Sequence, residues 1–280
     1  MRGALLSACV AGGGGAARRW PLVLVLWGIG VGFGVAFAFA SAVWLTAALD
    51  GALASRTLLH DLDADVLVDL WFHHRDGLRM LAVAAALLGV AHTMVWWWLD
   101  GVIVASLAPC SGSPWQAGTG LAAGMARLWC LALLAQALWG AAIAGPLWAF
   151  VRATAESPSA WVWYAGGGAA AGVWLLGGLW LVAVHDQARL RLGLADSGAL
   201  AAWGWAMHFV LRGGRGAFPL ALLLQATALG IWALYQSLSL ALPLRELLGL
   251  TGSLLLGQAF LLARTWLRVW MLAAQRRLQA

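Results

Sequence analysis

The sequence predicts an all-α protein, a polytopic bundle of about six transmembrane helices with short interfacial helices. Of its 280 residues, 63% are hydrophobic and only 10% are charged, whereas soluble domains carry roughly 25% charged residues. So few charges cannot cover a soluble fold of this size, and lipid must replace water around most of the chain. The apolar residues are also grouped in runs that reach the roughly 20 residues a helix needs to cross a bilayer.

Six runs have the length of a membrane span, and together they predict a single transmembrane domain. They cover about 21–49, 79–105, 122–151, 161–184, 217–242 and 247–270. A signal peptide is an alternative for the first run, because Arg18 and Arg19 precede it and Ala38-Phe39-Ala40 resembles a cleavage site. The run continues to Leu49, however, which favours an uncleaved span.

The placement of the arginines predicts that both termini lie on the cytoplasmic side of a bacterial inner membrane. The predicted inner side receives twelve of them: Arg2, Arg18, Arg19, Arg127, Arg189, Arg191, Arg212, Arg215, Arg264, Arg268, Arg276 and Arg277. The outer side receives five: Arg56, Arg75, Arg79, Arg152 and Arg245. The arginines stand singly or in pairs, without the continuous basic stripe that nucleic-acid binding requires, so no nucleic-acid partner is expected.

Segments between the spans are predicted to lie on the membrane surface. Residues 57–77 are expected to form an outer amphipathic helix. Residues 185–216 are expected to form a cytoplasmic loop with an interfacial helix at 197–211. A further short interfacial helix is predicted at 114–125, before the third span.

The predicted outer helix carries most of the chain's clustered acids and histidines. Its polar residues recur at spacings of four, four, four and three: Asp61, Asp65, Asp69, His73 and Asp76. On a helix these share one face, where Asp65, Asp69 and His73 are weak candidates for a divalent metal or a proton relay. The favoured alternative is the polar edge of an interfacial helix, in which Asp63 is the N-cap and Asp76 pairs with Arg79. No other outer loop offers a second cluster of ligands, so we predict no bound metal and no cofactor.

Ionisable side chains inside the predicted spans are few, and such groups are candidates for function. His92 lies near the middle of the second span and is expected to hydrogen-bond to a neighbouring helix. Asp100 lies two turns later, and Arg127 opens the third span. Because Asp100 and Arg127 flank one short loop, they are predicted to form a structural salt bridge.

A short internal similarity predicts that spans three and four repeat as spans five and six. Residues 131–137 (LALLAQA) closely match residues 220–226 (LALLLQA). Chance is the alternative explanation, because leucine and alanine fill so much of the chain. In a real repeat, Gln136 and Gln225 are equivalent polar groups at mid-span, and a hydrogen bond between them can cross the repeat interface.

Glycines in two spans indicate close packing between helices, since a residue without a side chain lets a neighbouring helix approach. The fourth span carries Gly168 and Gly172 at this spacing. The first span carries two overlapping pairs of glycines four residues apart: Gly28, Gly30, Gly32 and Gly34. The pattern leaves open whether the packed neighbour belongs to this chain or to another.

One segment supports a resemblance to known proteins. Residues 185–192 (HDQARLRL) end a span in D-x-A-R, and an acidic turn at 195–197 and an interfacial helix follow. With the Asp-rich helix and the WLDG stretch at 98–101, the chain resembles uncharacterised bacterial multi-pass proteins. These are loosely similar to the membrane domain that accompanies glycerophosphodiester phosphodiesterases. There the phosphodiesterase chemistry belongs to a separate soluble domain, so the resemblance implies an architecture and no catalytic residue.

The sequence contains no HExxH, no GxSxG and no glycine-rich phosphate loop with a lysine. The favoured function is therefore a non-enzymatic component of a membrane assembly, whose partners are the lipid bilayer and other membrane subunits. The alternative is a transporter or ABC-type permease subunit, with a separate cytoplasmic ATPase docked on residues 185–216. An intramembrane enzyme centred on His92 or the acidic helix is the least favoured of the three.

Overall fold

The computed structural model describes residues 2–49, 72, 74–108, 112–155, 159–195, 197–213, 216–241 and 247–279. Within these ranges the chain forms eight α-helices and one π-helical turn and contains no strand, so the predicted all-α fold class is confirmed. The helices are α1 (Arg2–Ala17), α2 (Trp20–Leu49), α3 (Arg75–Leu107), α4 (Pro114–Ala153), α5 (Ala160–Ala195), α6 (Ala199–His208), α7 (Ala217–Ala241) and α8 (Leu247–Gln279). The π-helical turn, Phe209–Gly213, directly follows α6.

Five of these helices, α2, α3, α4, α5 and α7, are long and apolar enough to cross a membrane. They coincide with five of the six predicted spans. The remaining predicted span, 247–270, lies in α8, which has 33 residues but whose described part is not apolar enough to belong to the five. Arg264 and Arg268 interrupt the apolar run there. A sixth crossing, and with it the cytoplasmic position of the C-terminus, stays a prediction.

Two segments predicted to lie on the membrane surface are instead continuous with long helices. A separate interfacial helix at 114–125 is wrong: α4 begins at Pro114, whose ring suits the first helical turn, and runs unbroken to Ala153. Helix α5 continues past the predicted end of its span as far as Ala195, so the start of the predicted loop 185–216 is helical. The interfacial helix predicted at 197–211 corresponds to α6 and the π-helical turn.

Most of the predicted outer helix 57–77 lies outside the described residues, and so do Asp65, Asp69 and His73. The described part begins α3, with Asp76 in its first turn. Nη1 of Arg79 donates to Oδ1 of Asp76 at 3.1 Å, so the predicted pair three residues apart is confirmed. Both side chains are largely exposed.

The described helices divide into two compact units. Unit 1 comprises Met1–Arg19, Trp97–Leu229 and Leu267–Ala280, and unit 2 comprises Trp20–Trp96 and Gly230–Trp266. Unit 1 contains every buried polar or charged side chain of the described residues and almost all of the buried apolar ones. In the described part of unit 2, only Val23 and Leu26 are buried. A packed core is therefore a property of unit 1.

Helices of unit 1 approach one another at glycines. A Cβ atom added to Gly101 of α3 would lie 2.7 Å from the carbonyl oxygen of Gly118, on α4. One added to Gly118 would lie 2.7 Å from the backbone nitrogen of Val102. Likewise, a Cβ atom on Gly12 of α1 would lie 2.6 Å from Cβ of Ala274 on α8. These contacts leave no room for a methyl group, and small residues let membrane helices pack this closely.

The glycines predicted to form the packing face of the fourth span have no neighbouring helix among the described residues of this chain. A Cβ atom on Gly168 or Gly172 would meet no described atom within 4 Å. Helices α4 and α5 instead meet at Gly166, which faces Phe150, and at Gly177, which faces a tryptophan of α4. The spacing of glycines along the chain therefore did not identify the contact, because large aromatic side chains of α4 select where α5 can approach.

Candidate functional site

The most chemically distinctive feature of the described residues is a group of buried charged and amide side chains in unit 1. We call it the buried polar cluster, and its members are Asp100, Trp129, His185, Asp186, Gln187, Arg189, Arg268, Gln275 and Gln279. It draws on four helices, α3, α4, α5 and α8. Asp100 is 0% exposed, Asp186 1% and Arg189 4%. Burying a charge is costly unless it is paired and hydrogen-bonded, so the pairing of these groups decides what they can do.

Asp100 of α3 is the centre of the buried polar cluster. Its Oδ1 accepts a hydrogen bond from Nη2 of Arg268 at 2.6 Å. Its Oδ2 lies 3.0 Å from Nη1 of Arg189 and accepts a hydrogen bond from the indole Nε1 of Trp129 at 2.9 Å. One carboxylate thus connects α3 to α4, α5 and α8. Charge-assisted bonds of this kind are shorter and stronger than those between neutral groups.

The predicted salt bridge between Asp100 and Arg127 is wrong. Arg127 is exposed and forms no ion pair with any described residue, whereas Asp100 pairs with Arg189 and Arg268. Asp100 and Arg127 flank one short loop in the sequence, but the Asp100 side chain is buried. Its partners come from helices distant in sequence, which neighbouring positions could not indicate.

The other half of the cluster joins α5 to α8. Arg189 also pairs with Asp186, one turn earlier on α5. Nε2 of Gln275 donates to Oδ2 of Asp186 at 3.1 Å, and Nε2 of Gln187 donates to Oε1 of Gln275 at 3.3 Å. Nε2 of Gln279 then donates to Oε1 of Gln187 at 2.5 Å. The amides extend the ion pairs into a continuous chain of hydrogen bonds along the two helices.

The two carboxylates and two guanidinium groups of the cluster sum to zero charge. Every carboxylate oxygen is already occupied by a donor of the chain itself: Asp100 by three donors, and Asp186 by Arg189 and Gln275. No oxygen is left open toward a cation, and the described residues hold no group of three potential metal ligands. The arrangement is suited to holding four helices together.

His185 is the member of the cluster whose polar atoms are not used. It is 7% exposed, and neither ring nitrogen has a hydrogen-bond partner among the described residues. The ring packs edge-to-face against Trp129, with centroids 5.1 Å apart, and tilted against Trp203 of α6 at 6.2 Å. These aromatic contacts account for its position.

His92, the histidine predicted inside a span, lies in unit 2. Its ring packs edge-to-face against Phe33 of α2, with centroids 4.9 Å apart, and against Trp96 of its own helix at 5.8 Å. It therefore contributes to the contact between α2 and α3.

The two glutamines predicted to be equivalent do not bond to each other. Nε2 of Gln136 donates to the carbonyl oxygen of Gly178 on α5 at 3.2 Å. Nε2 of Gln225 lies 4.0 Å from the sulfur of Met271 on α8, a weak contact with sulfur as acceptor. The predicted bond across a repeat interface is therefore wrong. Each amide instead contacts the helix that follows its own in the sequence.

The glycines of α2 lie on open surfaces. A Cβ atom on Gly28, Gly30, Gly32 or Gly34 would meet no described atom within 4 Å. A helix turns by about 100° per residue, so the pair Gly28 and Gly32 and the pair Gly30 and Gly34 lie on nearly opposite faces, about 200° apart. The single packing face predicted from the sequence is therefore two faces.

One of these faces continues beyond the glycines. Gly28, Gly32, Val35 and Phe39 follow one another at spacings of four, three and four, which keeps them within about 60° on the helix. Val35 is 61% exposed and Phe39 70% exposed. Phe33, through which α2 contacts α3, lies about 100° or more away from all four. We call Gly28, Gly32, Val35 and Phe39 the glycine stripe.

Sequence reasoning missed most of the buried polar cluster, because it interpreted Arg189 and Arg268 as markers of membrane topology. One signal was available. Asp186 and Arg189 are three residues apart, so on a continuous helix they share one face and can pair. The expectation that the span ends at residue 184 concealed this signal, because it placed both residues in a loop.

No protein-family model, curated protein or solved structure matches this chain. What can be said of its class therefore rests on its own helices. Five of them have the length and composition of membrane spans, which defines an all-α, multi-pass membrane protein. The resemblance to the membrane domain accompanying glycerophosphodiester phosphodiesterases stays a prediction.

Proposed function

We propose that this chain is a non-enzymatic component of an assembly in a bacterial inner membrane and that it docks another transmembrane helix on the glycine stripe. The observation that carries the proposal is the open surface over Gly28 and Gly32, with Val35 and Phe39 exposed beside it. Lipid tails are as apolar as leucine, so helices associate in a membrane through close packing at small residues. The stripe offers a shallow groove next to two larger side chains.

The other glycines of the chain support this interpretation. In unit 1, Gly101 and Gly118 lie where two helices of this chain touch through their backbones. Gly28 and Gly32 have the same chemistry at the spacing typical of helix packing, but no described helix of this chain fills the space above them. A helix of another subunit is the neighbour that would complete the same kind of contact.

The buried polar cluster supports a structural component over an enzyme or a permease. Its carboxylates are saturated by donors from this chain, so neither carboxylate is open to a substrate. A permease subunit was expected to receive its ATPase on residues 185–216. Residues 185–190 of that segment are buried in unit 1, which removes them from any surface on which a partner could dock.

The test is co-purification of the tagged full-length protein from bacterial membranes in mild detergent, with quantitative mass spectrometry of the bound membrane proteins. The variant Gly28→Leu/Gly32→Leu fills the glycine stripe. The matched control Gly30→Leu/Gly34→Leu makes the same change on the other face of α2. We expect the stripe variant to lose a stoichiometric partner by roughly tenfold or more, since overpacking costs about 1–3 kcal/mol.

The control variant should retain that partner, and both variants should keep the thermal stability of the isolated chain. Equal losses in the two variants would contradict a specific role of the stripe. The absence of any stoichiometric partner would contradict the proposal as a whole, unless Val35→Cys cross-links to a second copy of the same chain. In that case the assembly is a homo-oligomer built on the same stripe.

A further inference from the structure

Four arginines of unit 1 surround one cavity. The cavity has a volume of about 490 Å³ and is lined by Arg18, Arg19, Arg276 and Arg277, together with small residues of α1 and α8 and Leu107 of α3. We call it the arginine pocket. Its volume falls within the range of about 300–1,000 Å³ that is usual for small-ligand sites.

The packing of α1 on α8 brings these four charges together. Arg18 and Arg19 follow the end of α1, and Arg276 and Arg277 lie in the last turn of α8. The two helices touch at Gly12 and Ala274, and Nε1 of the Trp270 indole on α8 donates to the carbonyl oxygen of Cys9 at 2.7 Å. These contacts do not involve the arginines, so the charges are gathered by neighbouring apolar packing and not by partners of their own.

Of the four arginine side chains, only that of Arg19 is hydrogen-bonded to a described residue of the chain. Its Nη1 donates to the carbonyl oxygen of Gly15 at 2.7 Å, and its Nε and Nη2 donate to that of Ser106 at 2.9 and 2.7 Å. Arg19 thereby satisfies carbonyl groups at the ends of α1 and α3. The side chains of Arg18, Arg276 and Arg277 form no hydrogen bond or ion pair with any residue that the structure describes.

No described carboxylate neutralises the pocket. The two acids of unit 1 that the structure describes are Asp100 and Asp186, and both are occupied inside the buried polar cluster. Like charges at this proximity repel one another. Burial lowers the pKa of the Arg19 guanidinium, and the neighbouring positive charges of Arg276 and Arg18 lower it further. A concentration of positive charge of this kind is stabilised by an anion.

We propose that the arginine pocket binds a phosphate-bearing anion, either the headgroup of an anionic phospholipid or a soluble phosphate compound. The planar guanidinium group presents paired N–H donors that match two oxygens of a phosphate. Basic pockets between membrane helices are typical sites for anionic lipid headgroups. The inference is independent of the glycine stripe, which lies in unit 2.

The test uses the full-length protein in a neutral detergent, with binding followed by tryptophan fluorescence and by the thermal unfolding midpoint. The probes are mixed micelles containing phosphatidylglycerol, the same micelles containing phosphatidylcholine, and inorganic phosphate. We expect phosphatidylglycerol to raise the unfolding midpoint while phosphatidylcholine leaves it unchanged. In Arg276→Gln/Arg277→Gln the affinity should fall about 25-fold, or roughly fivefold for each arginine near the membrane surface.

Arg127→Gln is the matched control, because Arg127 is an exposed arginine of the same unit outside the pocket. It should bind as the wild type does, and Arg276→Lys/Arg277→Lys should recover part of the lost affinity by restoring the charge. If the glutamine double variant does not fold, Arg18→Gln replaces it, with an expected loss of roughly fivefold.

The arms of the experiment separate the two sources of phosphate. A response to phosphatidylglycerol alone assigns the site to a lipid headgroup, and an equal response to inorganic phosphate assigns it to a soluble phosphate compound. No response to either probe would overturn the proposal. So would an unchanged affinity in the pocket variants, because binding would then not depend on the pocket arginines. An equal loss per removed charge in the pocket variants and Arg127→Gln would also overturn it, because binding would then be a general effect of positive charge.

Discussion

Gly118 of unit 1 and Gly28 of unit 2 lie in similar apolar helices, but their surroundings are opposite. Above Gly118 the backbone of Val102 is so close that no methyl group fits, whereas above Gly28 no described atom lies within 4 Å. The ionisable groups differ in the same way: unit 1 buries Asp100 among arginines, while His92 of unit 2 packs against aromatic rings. A glycine in a membrane helix marks where close contact is possible. Only the structure tells which contacts this chain makes with itself.

Removing the charge at the centre of unit 1 should have the largest effect. In Asp100→Asn, Arg189 and Arg268 lose a carboxylate while remaining inside the cluster. Removing one partner of a buried ion pair costs about 3–5 kcal/mol, because the other charge stays buried. The free energy of unfolding in detergent should therefore fall by about that amount. Denaturant unfolding followed by tryptophan fluorescence measures the change.

The control for Asp100→Asn is Asp76→Asn, which removes the exposed ion pair with Arg79 in unit 2. Exposed pairs contribute little, so this variant should unfold as the wild type does. Similar losses in the two variants would show that the buried polar cluster is not what stabilises unit 1.

Alanine substitutions at Gly118 and Gly28 should change the free energy of unfolding in opposite directions. Gly118→Ala forces a methyl group against the backbone of α3, and overpacking of this kind should lower the free energy of unfolding by about 1–3 kcal/mol. Gly28→Ala places the same methyl group in open space, where alanine raises helix stability by up to about 1 kcal/mol. Thermal unfolding of the two purified variants under identical detergent conditions measures both. Equal destabilisation would mean that the surface over Gly28 is occupied after all.

The last pair of variants compares a side chain of the buried polar cluster that has no hydrogen bond to a described residue with one that is hydrogen-bonded, and the first should have the smallest effect. His185→Phe keeps an aromatic ring against Trp129 and removes two unpaired nitrogens, so the free energy of unfolding should rise, by up to about 1 kcal/mol. Gln275→Leu has a similar volume but removes the donor to Oδ2 of Asp186 and the acceptor for Nε2 of Gln187, and should lower it by about 1–3 kcal/mol. The same unfolding assay measures both. A marked loss of stability in His185→Phe would indicate that the imidazole nitrogens have a role beyond packing.

Much of the architecture was predictable because it depends on local properties of the chain. The length of an apolar run decides whether a helix can span lipid, and five of the predicted spans coincide with long helices of the structure. The pair of Asp76 and Arg79 was likewise predictable, because residues three apart on a helix are always neighbours. Local reasoning failed at the ends of spans. Nothing in residues 185–195 marks where the bilayer ends, so this continuation of α5 was predicted to be a loop.

The sequence by itself determined that this is an all-α chain of membrane-spanning helices, because lipid requires every backbone polar group to be satisfied within a helix. It also determined that ionisable side chains within the spans are few and are candidates for function. Only the tertiary structure decided that Asp100 pairs with Arg189 and Arg268, and that Arg19 and Arg276 line one cavity. It also decided that the space above Gly28 holds no described atom, whereas the space above Gly118 is occupied by another helix. Each depends on which helices become neighbours. That choice is made by packing between residues far apart in the sequence, which no local pattern records.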